Sequence, residues 1–234
     1  MRHPLLAAAA LGLLAALGAG RALAQSPPAT LVEAAGDAVV FNGRIDARSA
    51  EEFLRLLQDP QVKRLVITSR GGSVPAALDM AKALHERGLD VEVPSACWSS
   101  CANYIFVAAR RKTIGRPGAV AWHGNMTHVL YLQQTGQGNW NEQQMESARQ
   151  LARREAEFFR RIGVDGFLGW FGKIEPYQAD EFYSVSAQDM ERFGVRQVTV
   201  REEPTAQARS ADVRHIEVDW AGLEAARPFV RLEP

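Results

Sequence analysis

The sequence predicts an α/β fold with a largely parallel sheet. Three observations lead to it. Short β-branched runs alternate with helical patterns from residue 38 to residue 122. The glycine pair Gly71-Gly72 falls where one strand pattern gives way to a helical one, and the serine pair Ser99-Ser100 falls at the next such junction. Parallel neighbours need helical crossovers, and ligands in such folds gather where strand C-termini meet helix N-termini.

The elements follow in order. Residues 38–45, AVVFNGRI, are apolar and β-branched and read as a strand with a turn near Asn42-Gly43. Ser49 precedes Glu51 and Glu52, an N-cap followed by acids in the first turn, and Pro60 stops the helix. RLVIT at 64–68 is a short buried-strand pattern. Over residues 73–87 the apolar Val74, Ala77, Leu78, Ala81 and Leu84 recur at three and four, and Gly88 closes that helix. Residues 91–94 read as a strand. Ser99 or Ser100 opens the next helix, through Tyr104, Ile105, Phe106 and Val107. A strand pair is expected at 112–114 and 119–122. Residues 125–140 are rich in Gly, Gln and Thr and read as a mobile loop. Residues 142–162 form a long helix with Met145, Ala148, Ala152, Phe159 and Ile162 on one face, for core packing or oligomer contact. Ser186 caps a short helix, and Gly194 leads to a last strand at 195–200.

Both ends differ from this core. A short basic start, an apolar run of Leu, Ala and Gly, and Ala22-Leu23-Ala24 read as a secretory signal peptide over residues 1–24. The run is too short to span a bilayer comfortably. The expected localisation is therefore outside the inner membrane, periplasmic or secreted. Residues 25–37 read as a lead-in segment. Residues 201–234 are polar, proline-bearing and weakly periodic and read as a C-terminal tail. Without residues 1–24, 210 of the 234 residues remain, enough for one sizeable domain.

Composition is ordinary for a globular chain, 47% hydrophobic and 23% charged, with formal net charge zero. Nothing in that balance favours nucleic acid or an anionic membrane as a partner. The two cysteines, Cys97 and Cys101, invite a disulfide in an exported protein if local geometry allows one. Such a bridge would stiffen the turn around Ser99. The five histidines show no metal-ligand spacing, and neither a dinucleotide fingerprint nor a P-loop lysine is present. No metal or cofactor is expected.

Three motifs carry candidate chemistry. Ser99 sits where a strand gives way to a helix, so its hydroxyl faces unpaired N–H groups that suit an oxyanion. Read alone, Ser99 or Ser100 is more often only an N-cap serine. Gly71-Gly72 lets backbone approach a ligand closely, and the Gly72 amide is a candidate oxyanion donor. His123 ends the apolar run AVAWH and can accept a serine proton.

Taken together, SRGGSVPAALDMAKAL, PSACWSSCANYIFVAA and VAWHG resemble the Clp protease/crotonase superfamily. The likeness is nearest to the secreted bacterial Clp-protease-like proteins with a C-x-S-x-C turn, and it covers residues 39–200. It implies a spiral of βαβ units with a C-terminal helical part. It also implies Ser99 as nucleophile, His123 as general base, and the Gly72 and Ser100 amides as oxyanion donors. Asp180, in ADEFY, is the nominee for the third triad member. Outside the inner membrane neither ATP nor CoA is at hand, so no ATPase partner and no acyl-CoA chemistry are expected. The implied activity is a serine hydrolase of peptidase type acting on peptides or unfolded segments, in a chain able to form a homo-oligomer. The alternative is a peptide-binding or assembly module on the same core. Trp98 and Trp122 flank the candidates and either pack or wall a groove.

Overall fold

The computed structural model describes residues 30–115, 120–201 and 213–232. The expected signal peptide, residues 1–24, and the first part of the lead-in lie outside the described residues.

A six-stranded sheet carries the fold, and it is built from alternating strands and helices. β1 (Leu31–Ala35) and β2 (Ala38–Asn42) pair antiparallel through a turn at Gly36, so the lead-in contributes an edge strand. α1 (Ala47–Leu56) follows. Asp46, not Ser49, caps it: the Asp46 side chain accepts from the Ser49 N–H, and the Ser49 hydroxyl accepts from the Asp46 N–H. β3 (Arg64–Thr68) is the predicted strand. α2 (Val74–Arg87) starts at a Ser73 cap with Pro75 in its first turn, and ends at Gly88 in the left-handed conformation.

β4 (Asp90–Val93) leads through a bend to β5 (Cys97–Trp98). A buried π-helical stretch, Cys101–Phe106, comes next. β6 (Lys112–Ile114) joins the main sheet, whereas β7 (Val120–Ala121) pairs in parallel with β5. The expected strand pair therefore exists as two strands in two different sheets. α3 (Met126–Gln134) occupies most of the segment predicted as a loop. α4 (Glu142–Ile162) is the long helix, capped by Asn141 and closed by Gly163. β8 (Phe182–Ser184), α5 (Ala187–Arg192) behind its Ser186 cap, and β9 (Val198–Val200) complete residues up to 200.

The main sheet runs β1-β2-β3-β4-β6-β9 and is parallel from β2 onward. The mixed α/β, mostly parallel expectation is met. The predicted tail is not a tail throughout. Within it, β10 (Val213–His215) pairs in parallel with β8, and α6 (Trp220–Ala226) buries Leu223 in the main core. Its apolar residues find partners some 30 positions earlier in the chain, so local periodicity could not reveal them.

Candidate active site

The site lies at the C-terminal ends of β3 and β4, where the chain leaves the main sheet. Ser69 bridges Cys97, which lays the end of β3 beside the β5 turn. Trp98 N–H donates to Ser69 O (2.9 Å), and Ser99 N–H donates to Ala121 O (3.0 Å). Ser99 O in turn accepts from Asn103 N–H (2.8 Å). Both backbone polar groups of Ser99 are thus taken. Its φ of +57° is a conformation that non-glycine residues rarely adopt. The Cys97–Cys101 disulfide closes the turn, with the two Cα atoms 5.1 Å apart and both cysteines buried.

Neither serine acts as a side-chain cap. The Ser99 hydroxyl meets His123 Nε2 at 2.7 Å, and the Ser100 hydroxyl donates to Gly72 O (2.9 Å). The glycine pair sits against this turn. A Cβ on Gly71 would lie 2.8 Å from Ser100 N and 2.9 Å from Ser99 Cβ. A Cβ on Gly72 would lie 2.0 Å from Ile45 O, and the residue has φ +149°, so only glycine fits. Ile45 bonds to the residues on either side, through Gly71 O and Ser73 N–H. That pattern turns the Gly72 N–H away from Ile45. Among the described residues, neither the Gly72 nor the Ser100 N–H has a hydrogen-bond partner. Two free backbone donors beside a serine hydroxyl have the composition of an oxyanion site.

His123 follows β7, and its position is fixed from both sides. Trp122 before it exchanges backbone hydrogen bonds with Tyr183, and Gly124 after it donates to Gly169 O. Asn103 Nδ2 donates to Gly124 O (2.8 Å), tying the π-helical stretch after Ser99 to the residue after His123. The imidazole packs at a tilt against Phe182, with ring centroids 4.5 Å apart. Packing around the ring lowers the His123 pKa, the nearby Lys173 ammonium lowers it further, and Glu181 opposes both. The neutral ring, the form with a nitrogen able to accept a proton, is therefore the resting form at neutral pH.

Asp180 is not brought to His123. It is exposed, and its carboxylate makes no hydrogen bond among the described residues. Its backbone carbonyl accepts from Lys173 Nζ (2.7 Å), as do those of Ala179 and Glu181. The carboxylate whose field reaches His123 is that of Glu181. No group among the described residues hydrogen-bonds His123 Nδ1. Ser99, His123, Gly72 and Ser100 therefore assemble, and Asp180 stands apart. Trp98 and Trp122 are both buried, Trp122 wholly, while Trp98 still offers a ring face to Arg70. The indole Nε1 of Trp98 is buried without an acceptor among the described residues, a burden of about 1–3 kcal/mol.

Sequence reasoning missed the residue that joins the two halves. Glu155, fully buried on α4, accepts from Tyr104 Oη (2.6 Å), from the Met126 and Thr127 N–H groups and from Thr127 Oγ1 (2.9 Å). It thereby ties the π-helical stretch to the first turn of α3. Burial pushes its pKa up, against four hydrogen bonds that favour the anion. The signal was present: Glu155 falls between Ala152 and Phe159 on the apolar stripe, where a charge has no reason to be solvated. His128 was also passed over. It lies buried in the first turn of α3, stacked 5.6 Å from Trp170, and burial lowers its pKa to about 4.

Among the described residues no cluster of His, Cys, Asp and Glu is arranged to hold a metal ion. No helix among them is long and apolar enough to cross a membrane. No protein-family model matches the chain, and no curated protein does.

Proposed function

We propose that this chain is an exported, ATP-independent serine hydrolase of peptidase type, on a Clp/crotonase-like core. The observation that carries the reading is the 2.7 Å contact between Ser99 Oγ and the neutral His123, at a serine with φ +57°. Ser99 Oγ attacks the scissile carbonyl while His123 Nε2 takes its proton. The carbonyl oxygen gains negative charge, which the free N–H groups of Gly72 and Ser100 stabilise. His123 then protonates the leaving amine, the C–N bond breaks, and an acyl-Ser99 remains. Water, deprotonated by His123, cleaves that ester and returns the proton to Ser99. Peptides or unfolded segments suit a hydrolase with no unfolding motor.

A peptide-binding module on the same core is the second reading, and the unpaired His123 Nδ1 favours it. Turnover of a fluorogenic peptide library separates the two. The hydrolase reading expects cleavage by the wild type and none by Ser99→Ala, with unchanged circular dichroism. Library members bound by both proteins and cleaved by neither would establish the module.

A further inference from the structure

Arg70 is the residue before the glycine pair, and it is exposed. Its guanidinium carbon lies 4.5 Å from the centre of the Trp98 ring. Among the described residues it makes no ion pair and no hydrogen bond. Arg192 likewise lies over a ring, 4.0 Å from the centre of Trp220 and without an ion pair among the described residues, whereas several other arginines behave differently. Arg64, Arg110, Arg111, Arg149, Arg154, Arg161 and Arg227 all meet carboxylates. The cation at the candidate site is thus left uncompensated, with its five donors open to solvent.

The platform beneath it belongs to the site. Trp98 precedes Ser99, and its ring packs on Phe182 at 5.1 Å, which packs on His123 at 4.5 Å. Arg70, Trp98, Phe182 and His123 form one continuous row. The indole is held in that row although its own N–H finds no acceptor among the described residues, as happens where position matters more than local satisfaction. Stacking on an aromatic face restricts a guanidinium to one plane, which suits a planar, bidentate partner.

We propose that Arg70, stacked on Trp98, is a subsite that receives a carboxylate of the substrate close to the scissile bond. An extended peptide rises about 3.3 Å per residue, so the three contacts of the row place Arg70 within about four residues of the bond held at His123. Glu or Asp side chains and a free C-terminus offer the same planar anion. The subsite names the substrate class of the proposed hydrolase and rests on that reading for its catalytic meaning. Its binding can be measured without catalysis.

The test uses the Ser99→Ala protein and three peptides, identical except for charge: acetylated and amidated with Glu, the same with Gln, and the Gln peptide with a free C-terminus. Isothermal titration is expected to show about five- to tenfold tighter binding of one or both carboxylate peptides than of the neutral one. The arm that shows it identifies the source of the carboxylate. The preference shrinks at high ionic strength. It is lost when Arg70→Gln is added, and reduced by Arg70→Lys, which keeps the charge and loses the planar fork. It persists in Arg48→Gln, a control on the exposed surface of α1. Equal binding of all three peptides, no binding of any, or a preference that survives Arg70→Gln overturns the proposal. A failure of the hydrolase reading looks different: no Ser99-dependent turnover, with the carboxylate preference intact.

Discussion

The turn at Ser99 and the segment at residues 179–181 flank the same histidine and are held very differently. At Ser99 both backbone groups are hydrogen-bonded, a disulfide spans the turn, and Ser100 is locked to Gly72. At residues 179–181 a single half-buried ammonium, Lys173 Nζ, collects three carbonyls, and the Asp180 and Glu181 carboxylates face solvent. In the proposed reaction the hydroxyl that attacks a carbonyl is built into interlocking backbone, whereas the Glu181 charge that acts on His123 through space sits on a strap. Precise placement is needed where a bond forms, and a field tolerates looser placement.

The largest expected effect comes from cutting the tie between the two halves. Glu155→Ala strands the Tyr104 hydroxyl and two helix N–H groups in the interior, for a loss of about 3–5 kcal/mol. Thermal unfolding should fall by about 10 °C for a domain of this size. A shift of only a degree or two would show that α3 and the π-helical stretch hold together without it.

His128 gives a test on the pH axis. Its folded-state pKa of about 4 lies below the unfolded value of about 6.5. Between those values the unfolded chain binds the extra proton. The neutral ring's contribution is present above pH 6.5 and is lost as pH falls toward 4, by up to about 3 kcal/mol. His128→Phe keeps the stack on Trp170 and should flatten that limb in denaturant titrations across pH 4 to 7. An unchanged slope would assign the acid loss to other groups.

The disulfide offers a smaller effect on the Ser99 side. Its loop is short, so the chain-entropy benefit is about 2 kcal/mol. Cys97→Ser with Cys101→Ser should lose about that much stability and lose proportionally more turnover, because Ser99 is freed to leave φ +57°. Equal fractional losses would mean that the backbone bonds alone hold the serine.

The smallest effects are expected on the strap. Glu181→Gln removes the charge that raises the His123 pKa, so the acid limb of turnover should move to lower pH. Lys173→Met removes a charge that lowers it and should move the limb upward. Asp180→Asn should change turnover by less than about twofold. A loss of about 10³-fold or more in Asp180→Asn would place a triad carboxylate there after all.

Much of this was legible in the sequence, and the exceptions share a cause. β3, α2 and α4 are written in local periodicity and caps, and they fall where the pattern puts them. Ser99, His123 and Gly72 sit at strand–helix junctions, so local grammar placed them as well. α3 was not legible, because its Gly-, Gln- and Thr-rich segment is held by the Asn125 cap and by Glu155 from α4. β10 depends on β8 in the same way. Asp180, nominated on spacing, makes no hydrogen bond to His123 among the described residues, because where a carboxylate's oxygens point is not encoded in spacing.

The most direct measurement is fluorophosphonate labelling of the purified protein, with the adduct located by mass spectrometry. The account predicts a single adduct on Ser99, absent in Ser99→Ala and in His123→Ala, with a rate that falls as His123 is protonated below the ordinary histidine range. A folded wild-type protein that forms no adduct, or one that labels equally well in His123→Ala, would contradict it.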